Sequence, residues 1–387
     1  MRELNVLTPG KIGWLDKPER VLENPTDALV RPFIASRCDG DALPIHMHSA
    51  THRAMTAGVR LGAIDASVGD IVGRTPFEGP FGIGHEVIGR VTAVGAEVDD
   101  MRVGDVVVVP WAVSCGTCYE CSLGLTAKCS TFLPNSPGKT LNCYGFGPTS
   151  GNWGGVITDV LRIPFADHML VRVPESVDPL RVASAGDNLT DAWRAVAPAL
   201  ERRPGGKVLV IGGGAQSIGL YATGFAVGLG AERVDYFDDR AERLEVAEHF
   251  GATVHRIPKS RRKSILGSIS DRYDVVVEAS SQAQGLRDAL RALRPGGICT
   301  GTGYYLMKNT GLPVMDMYAT SSALHVGVSH VRPHLPAMLD FFATGGFEAE
   351  KVTSVLADWD SAEEAYAAHA TKVVLHRPKL ELAGVAG

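Results

Sequence analysis

Four cysteines lie close together in the sequence, and they carry its most specific chemical signal. Four thiolates at this spacing can surround one tetrahedral zinc ion on a short irregular loop, in which Gly116 and Gly124 supply turns. Because protein atoms then fill every coordination position, such a zinc would be structural; an iron–sulfur cluster or free cysteines are the alternatives. We predict a zinc lobe over residues 110–135, with the ligands Cys115, Cys118, Cys121 and Cys129.

A glycine-rich turn follows the apolar segment Val208–Ile211, in the order Gly-Gly-Gly-Ala-Gln-Ser-Ile-Gly over residues 212–219. Glycines after a strand allow a pyrophosphate to approach the backbone at the start of a helix. The last glycine, Gly219, comes two residues later than in the usual G-x-G-x-x-G pattern. At the end of the next apolar segment, Asp238 could accept hydrogen bonds from the hydroxyls of an adenosine ribose. This arrangement predicts a dinucleotide, with NAD favoured over NADP.

Three other side chains could bind a second metal ion. Cys38 follows a predicted strand, His85 stands in a Gly-His-Glu sequence, and Asp187 lies at the start of a predicted helix. Taken singly, each has an ordinary structural explanation as a core cysteine, a hydrogen-bonded histidine or a helix cap. Asp191 is an alternative to Asp187.

Together these features resemble the zinc-dependent medium-chain dehydrogenase/reductase family, to which alcohol dehydrogenases belong. The resemblance covers nearly the whole chain, and the residues from 108 through the lobe, with those at 163–167, are most similar to the formaldehyde-dehydrogenase branch. Besides the features above, it rests on the motifs Val103-Gly104-Asp105, Trp153-Gly154-Gly155 and Lys372-Val373-Val374.

The resemblance implies that Cys38, His85 and Asp187 hold a catalytic zinc, with a fourth position open for water or a substrate oxygen. Such a zinc acts as a Lewis acid on an alcohol or a carbonyl while hydride passes to or from the nicotinamide. Glu86 would be an occasional extra ligand and Asp41 would orient His85. The expected substrate-pocket residues are Trp111 and His46.

The same resemblance implies two zinc ions per chain and an NAD site, while Arg240 and Arg243 leave NADP open. The expected nucleotide contacts are Gly212, Gly214, Gln216, Ser217, Ile218, Gly219, Asp238 and Arg243.

The order of predicted elements indicates an α/β chain with two domains. Short β-rich segments, without helical periodicity, fill the first 110 residues, whereas strands and helices alternate after residue 178. We expect a β-rich, GroES-like catalytic domain over residues 1–177 and 330–387. A doubly wound Rossmann domain for NAD is expected over residues 178–329.

Composition limits the partners of the chain. Its 387 residues are 45% hydrophobic and 21% charged, with a net charge of −5, so nothing favours nucleic acid or an anionic membrane as a partner. The amino terminus shows no secretory signal, which makes a cytoplasmic enzyme the expectation. We expect a small alcohol or carbonyl substrate and a homodimer or homotetramer.

Two departures from the family pattern bear on function. Gly40 replaces the Ser or Thr that usually begins a proton relay, so the proton must leave through water, Asp39, His46 or His48. An extra segment, residues 42–80, separates Cys38 from His85 and either covers the mouth of the site or lies on the surface. A reductase of C=N or C=C bonds, which needs no such relay, and a catalytically silent nucleotide-binding protein are the competing interpretations.

Overall fold

The computed structural model describes residues 1–133, 140–258 and 263–379. Positions 134 and 135 of the predicted lobe, residues 259–262 of the predicted Rossmann domain and the last residues of the chain therefore lie outside the described part. The chain divides into two compact units, the first formed by Met1–Asp187, His330–Ala343 and Thr353–Gly387. The second comprises Asn188–Ser329 and Thr344–Val352.

The described strands follow one another along the chain as β1 (Arg2–Thr8), β2 (Lys11–Asp16), β3 (Ala28–Ser36), β4 (Phe81–Gly82), β5 (Glu86–Val94), β6 (Val106–Val109), β7 (Leu161–Ile163), β8 (Val171–Arg172), β9 (Val208–Ile211), β10 (Val234–Asp238), β11 (Thr253–Arg256), β12 (Tyr273–Glu278), β13 (Leu293–Gly301), β14 (Ala323–Val326), β15 (Val355–Asp358) and β16 (Val373–His376).

The described α-helices are α1 (Ala42–Ile45), α2 (Ser49–Arg60), α3 (Ala66–Val72), α4 (Tyr119–Ser122), α5 (Ala166–Met169), α6 (Asn188–Glu201), α7 (Gln216–Gly228), α8 (Ala241–His249), α9 (Ala283–Arg291), α10 (Val314–Thr320), α11 (Val331–Ala343) and α12 (Ala362–Ala367). None of these helices, over the residues described, is both long and apolar enough to cross a membrane.

The first unit is built on a largely antiparallel sheet in the order β15-β16-β3-β5-β6-β8, with β7 paired to β3. Strands β3 and β5 pair with each other at its centre, and their apolar side chains are buried there. Val30, Val87 and Val91 have no exposed surface. The pairing of Ser36 with Glu86 brings the end of β3 beside the start of β5. Cys38 and His85, each just beyond these strand ends, are therefore neighbours.

The prediction that the first 110 residues lack helices is wrong. Helices α2 and α3 occupy the extra segment, and α2 runs for twelve residues, none of which is buried. No residue of α2 is fully buried, but the face formed by His52, Met55, Thr56 and Val59 is partly buried at spacings of three and four residues, so its sequence does carry a helical period.

The second unit contains a six-stranded parallel sheet in the order β11-β10-β9-β12-β13-β14. Numbered within the unit, this order is 3-2-1-4-5-6, which is that of a doubly wound Rossmann fold and confirms the prediction. Its core is formed by apolar strand residues, among them Leu209, Phe237 and Val276, packed against helix α9. The carboxyl ends of β9, β10 and β12 meet at one edge, where the glycine-rich turn begins.

Candidate active site and zinc lobe

Cys38, His85 and Asp187, which are far apart in the sequence, meet in the first unit. The Cys38 Sγ lies 3.2 Å from Oδ2 of Asp187, and the same oxygen lies 3.4 Å from Nε2 of His85. All three side chains are largely or fully buried. Asp191, the alternative to Asp187, instead pairs with Arg194 at 2.6 Å.

The spacing of these three atoms fits a zinc ion. With Zn–S near 2.3 Å and Zn–N or Zn–O near 2.0 Å, a tetrahedral ion separates its S and O ligands by about 3.5 Å and its N and O ligands by about 3.3 Å. The observed separations of 3.2 and 3.4 Å lie within about 0.3 Å of these values. One thiol, one imidazole and one carboxyl group supply only three ligands, which leaves one coordination position open.

Asp41 lies against the other nitrogen of the His85 ring. Its Oδ1 is 3.5 Å from Nδ1 of His85, while its Oδ2 accepts a hydrogen bond from the backbone N–H of Cys38. Burial raises the pKa of Asp41 to about 6 against the opposing effect of His85. Burial alone would lower the pKa of His85, but the carboxyl groups of Asp41 and Asp187 raise it to about 10. Asp41 thus contacts two metal-ligand candidates, the ring of His85 and the backbone of Cys38.

Glu86 lies next to His85 but forms an ion pair with Lys372, to which the sequence assigned no role in the site. Its Oε2 accepts a hydrogen bond from Nζ of Lys372 at 2.6 Å, and neither side chain has any exposed surface. Lys372 also donates to the carbonyl of Arg37 at 3.0 Å. Its place in the Lys-Val-Val motif was the one sequence signal that could have indicated this contact.

The segment that precedes Lys372 holds the backbone just before Cys38. The hydroxyl of Tyr366 donates to the carbonyl of Ser36, and the buried guanidinium of Arg37 donates to the carbonyls of Tyr366, Ala368 and Ala370. These contacts, which join distant parts of the chain, fix the position from which Cys38 reaches the site.

Aromatic rings surround His85. The Trp111 ring centroid lies 6.1 Å from that of His85, and Phe146 meets the imidazole edge to face at 5.6 Å. No sequence motif indicates Phe146. The other expected pocket residue, half-buried His46, stacks on His369 at 4.2 Å, and burial together with His369 lowers its pKa.

The four clustered cysteines converge in the same unit. Their Sγ atoms all lie within 4.8 Å of one another, and those of Cys118 and Cys129 are 3.8 Å apart. A tetrahedral zinc with four thiolates separates its sulfur atoms by about 3.8 Å, so the lobe fits this ion. Gly116 and Gly124 both adopt positive φ, as expected for the turns that bring the thiolates together.

Backbone and hydroxyl donors point at the lobe sulfurs, as thiolates require. Thr117 and Cys118 direct their N–H groups, and Thr131 its hydroxyl, at the Sγ of Cys115. Burial alone would raise the pKa of the Cys115 thiol, but these donors lower it to about 6. These donors favour ionisation of Cys115 in particular, whereas burial raises the pKa of Cys121 and Cys129.

The glycine-rich turn leads from β9 into α7 within the second unit. A side chain at Gly212 would lie 2.4 Å from Oδ2 of Asp238, and one at Gly214 would lie 2.5 Å from Oγ of Ser281. Gly219 lies inside α7, where it packs against Ala279. A cavity of ≈ 160 Å³ opens at this edge of the sheet, and its lining includes Gly212, Lys263, Ser280, Gln282 and Asp288.

The remaining expected nucleotide contacts lie at the start of α7. The helix begins at Gln216, whose Oε1 accepts a hydrogen bond from Arg243, and Ser217 donates to Oδ1 of Asn188 at 3.0 Å. Ile218 is buried beside them.

The carboxylate of Asp238 is already hydrogen-bonded on all sides. Arg243 donates to both oxygens, at 2.6 and 2.8 Å, while Tyr236 and the backbone of Arg240 donate at 2.9 and 3.0 Å. A carboxylate has about four acceptor positions, so these donors fill them. Arg243 thus holds Asp238 rather than standing apart from it as a separate site for phosphate.

Two family models match the chain: "Alcohol dehydrogenase GroES-like domain" over residues 24–175 and "Zinc-binding dehydrogenase" over residues 217–344. A probable zinc-binding alcohol dehydrogenase, Rv1895 of Mycobacterium tuberculosis, is 29% identical over 76% of this chain and 73% of its own length. A glutathione-independent formaldehyde dehydrogenase of Bacillus subtilis is 28% identical over 68% of this chain and 67% of its own.

Among solved structures, the alcohol dehydrogenase TADH from Thermus sp. ATN1 superposes with a TM-score of 0.81. It shares 28% sequence identity, and the match covers 97% of this chain and 99% of that one. The family models cover both the unit that carries the metal-ligand candidates and the unit with the dinucleotide fold. The chain therefore belongs to the zinc-dependent medium-chain dehydrogenase/reductase family, and it is an oxidoreductase of the alcohol dehydrogenase type.

Proposed function

We propose that the protein transfers hydride between an alcohol and NAD, or in reverse from NADH to an aldehyde or ketone, at a zinc ion held by Cys38, His85 and Asp187. The observation that carries this proposal is the spacing of their three ligand atoms, which fits a tetrahedral ion with one open position. When bound there, zinc supplies Lewis-acid polarisation of a substrate oxygen.

The surrounding residues orient and insulate this site. Asp41 holds the His85 ring with Nε2 directed at Asp187, and Lys372 balances the charge of Glu86, which limits Glu86 to the role of an occasional ligand. Trp111 closes one side against water. Since Gly40 has no hydroxyl, the substrate proton leaves through water or a nearby imidazole, for which His46 is our candidate.

The second zinc, bound by the four cysteines, is structural in this proposal because no coordination position remains for substrate. Its removal should therefore affect stability, whereas loss of the first zinc should affect turnover.

We propose NAD as the preferred nucleotide. The Asp238 carboxylate lies directly against Gly212, so a 2′-phosphate on the ribose would approach a negative charge. The bidentate contact with Arg243 reduces that charge, which makes Asp238 and Arg243 together the determinant of cofactor choice.

A second candidate function is the reduction of C=N or C=C bonds, and Gly40 is the observation that favours it. A reductase of this kind removes no proton from an alcohol, so the absent hydroxyl would be no handicap.

We further propose that the chain forms at least a dimer. Within the described part of the chain, strand β14 is the last strand of the six-stranded sheet and pairs only with β13. The adjoining helix α10 exposes Val314, Met315 and Tyr318 by more than three-fifths of their surface. An unpaired edge beside exposed apolar side chains is a surface that a second copy can cover.

Two measurements test the proposed function. Elemental analysis should find two zinc ions per chain, one in Cys38→Ser and one in Cys118→Ser; Cys38→Ser should keep its fold and lose turnover. Purified enzyme with NAD should produce NADH absorbance with members of an alcohol panel. A single zinc in the wild type would contradict the catalytic site, and activity confined to C=N or C=C substrates would favour the second candidate.

A further inference from the structure

The end of the extra segment packs against residues 144–149, a part of the chain that follows the zinc lobe. The hydroxyl of Thr149 donates to the carbonyl of Ile71, and a side chain at Gly147 would lie 3.8 Å from the Cα of Val72. The ring of Phe77 meets that of Phe146 edge to face at 6.5 Å. Phe77 is 1% exposed, so this contact is part of the core and not a surface encounter.

The opposite side of residues 144–149 lies against the loop that carries His85. The backbone N–H of Gly84 donates to the carbonyl of Gly145 at 3.1 Å, and the backbone N–H of Tyr144 donates to the carbonyl of Trp111 at 3.0 Å. Gly145 has a φ of +45°, and a side chain there would lie 2.0 Å from the carbonyl oxygen of Gly84. The backbones at Gly84 and Gly145 are thus in direct contact, and the extra segment packs against the other side of residues 144–149.

The last contact in this series is between Phe146 and His85. Phe146 meets the imidazole at a ring distance of 5.6 Å and an angle of 81°, which is within the favourable range for edge-to-face pairs. The Trp111 ring is tilted by 57° to the imidazole with its centroid 6.1 Å away, and Oδ1 of Asp41 lies 3.5 Å from Nδ1. The orientation of the ring, which determines where Nε2 points, therefore depends on packing as well as on Asp41.

We propose that the extra segment holds the metal ligand His85 in position through Phe77 and Phe146. These two residues are positioning residues, and the end of the extra segment, from Ile71 to Phe77, is an internal support of the metal site. This inference rests on the proposed zinc site at Cys38, His85 and Asp187. Groups that orient a metal-bound histidine typically change metal affinity by about 10- to 100-fold when they are replaced.

The test measures metal retention, which does not require turnover. Protein carrying Co²⁺ in place of zinc is exposed to a chelator, and loss of metal from the catalytic site is followed through its visible ligand-field bands. The four-cysteine lobe in the same protein is the internal reference. We expect Phe146→Leu to lose the catalytic metal about 10-fold faster, and Phe77→Leu about 2- to 10-fold faster, because an edge-to-face pair contributes on that scale.

Three other variants separate positioning from general destabilisation. Leu61, in the same segment, is 84% exposed, so Leu61→Ala should change neither the bands nor the rate. Phe146→Tyr keeps the aromatic edge and should retain the metal as the wild type does. Thr149→Val loosens the contact with Ile71 without altering either ring and should also accelerate loss, which tests the inference if Phe77→Leu does not fold.

The possible outcomes test this inference separately from the proposed catalytic zinc site on which it rests. If the wild type binds a single metal ion per chain, the catalytic zinc site itself is wrong. If the wild type binds two, but Phe146→Leu and Thr149→Val release both at the wild-type rate with unchanged bands, the site stands and the positioning role of the extra segment is refuted. Equal acceleration at the lobe would also overturn the inference, since it would show a global loss of stability.

Discussion

Replacing Lys372 by Met should destabilise the first unit strongly. The substitution preserves most of the side-chain volume but leaves the Glu86 carboxylate buried without its cation, which now lies 2.6 Å away. Neither side chain has exposed surface, so water cannot take the place of the ammonium group. Removing one partner of a buried ion pair costs about 3–5 kcal/mol.

The corresponding shift in melting temperature is large enough to measure. For domains of 150–250 residues, 1 kcal/mol corresponds to about 2–4 °C, so Lys372→Met should lower Tm by about 6–20 °C. Calorimetry in the presence of zinc, with zinc content determined before each scan, separates this effect from loss of metal at His85. Asp360→Asn, which removes an 83% exposed partner of Arg2, should change stability by less than about 1 kcal/mol.

A double variant tests whether the unpaired charge of Glu86 causes the loss of stability. Lys372→Met combined with Glu86→Gln removes both charges and should recover most of the lost stability, because no unpaired charge remains buried. If the double variant is as unstable as Lys372→Met, or if Lys372→Met melts within the range of Asp360→Asn, the ion pair does not stabilise the unit as argued.

Three further predictions concern turnover, cofactor and pH. Gly40→Ser should accelerate oxidation of simple primary alcohols, up to the roughly 10²- to 10⁴-fold that a positioned proton carrier contributes; an unchanged rate would mean that another group already carries the proton. Asp238→Ala should narrow the preference for NAD over NADP, because it removes the negative charge beside Gly212, and a wild type that prefers NADP would contradict the assignment. Asp235 is buried, and although burial opposes ionisation, hydrogen bonds from Arg233, His255 and Tyr273 lower its pKa. Its stabilising effect should be present above the unfolded value of about 3.9 and decrease as the pH falls below it, so the Tm difference between wild type and Asp235→Asn should shrink only in acid.

The parts of the molecule that the sequence predicted well are those whose signals are local. The four lobe cysteines lie within fifteen residues of one another, and central strands of the second unit such as β9 and β12 are short, mainly apolar segments. Cys38, His85 and Asp187 required the family resemblance, because nothing near any of them in the sequence distinguishes a metal ligand from a core residue.

Most of the features that were missed depend on contacts between distant residues. Lys372 meets Glu86 only because β16 and β5 both pair with β3, and no local pattern records that arrangement. Helix α2 is different, because its partly buried face, which runs from His52 to Val59, follows a helical spacing that could have predicted it. Phe146 has neither a motif nor a periodic position.

Asp238 shows why a correct position does not settle a residue's chemistry. The sequence places a carboxylate at the end of β10, and the structure agrees. Yet the charge that a ribose phosphate would meet depends on Arg243, one turn into α8, and on Tyr236, whose hydroxyl shares the same oxygen. A free carboxylate repels a 2′-phosphate strongly, and pairing it to a guanidinium reduces this repulsion. Cofactor preference in this chain should therefore respond to Arg243 as much as to Asp238, and Arg243→Ala, which exposes the carboxylate's charge, should strengthen the discrimination against NADP. A weaker discrimination in that variant would show that Arg243 acts on the carboxylate's orientation more than on its charge.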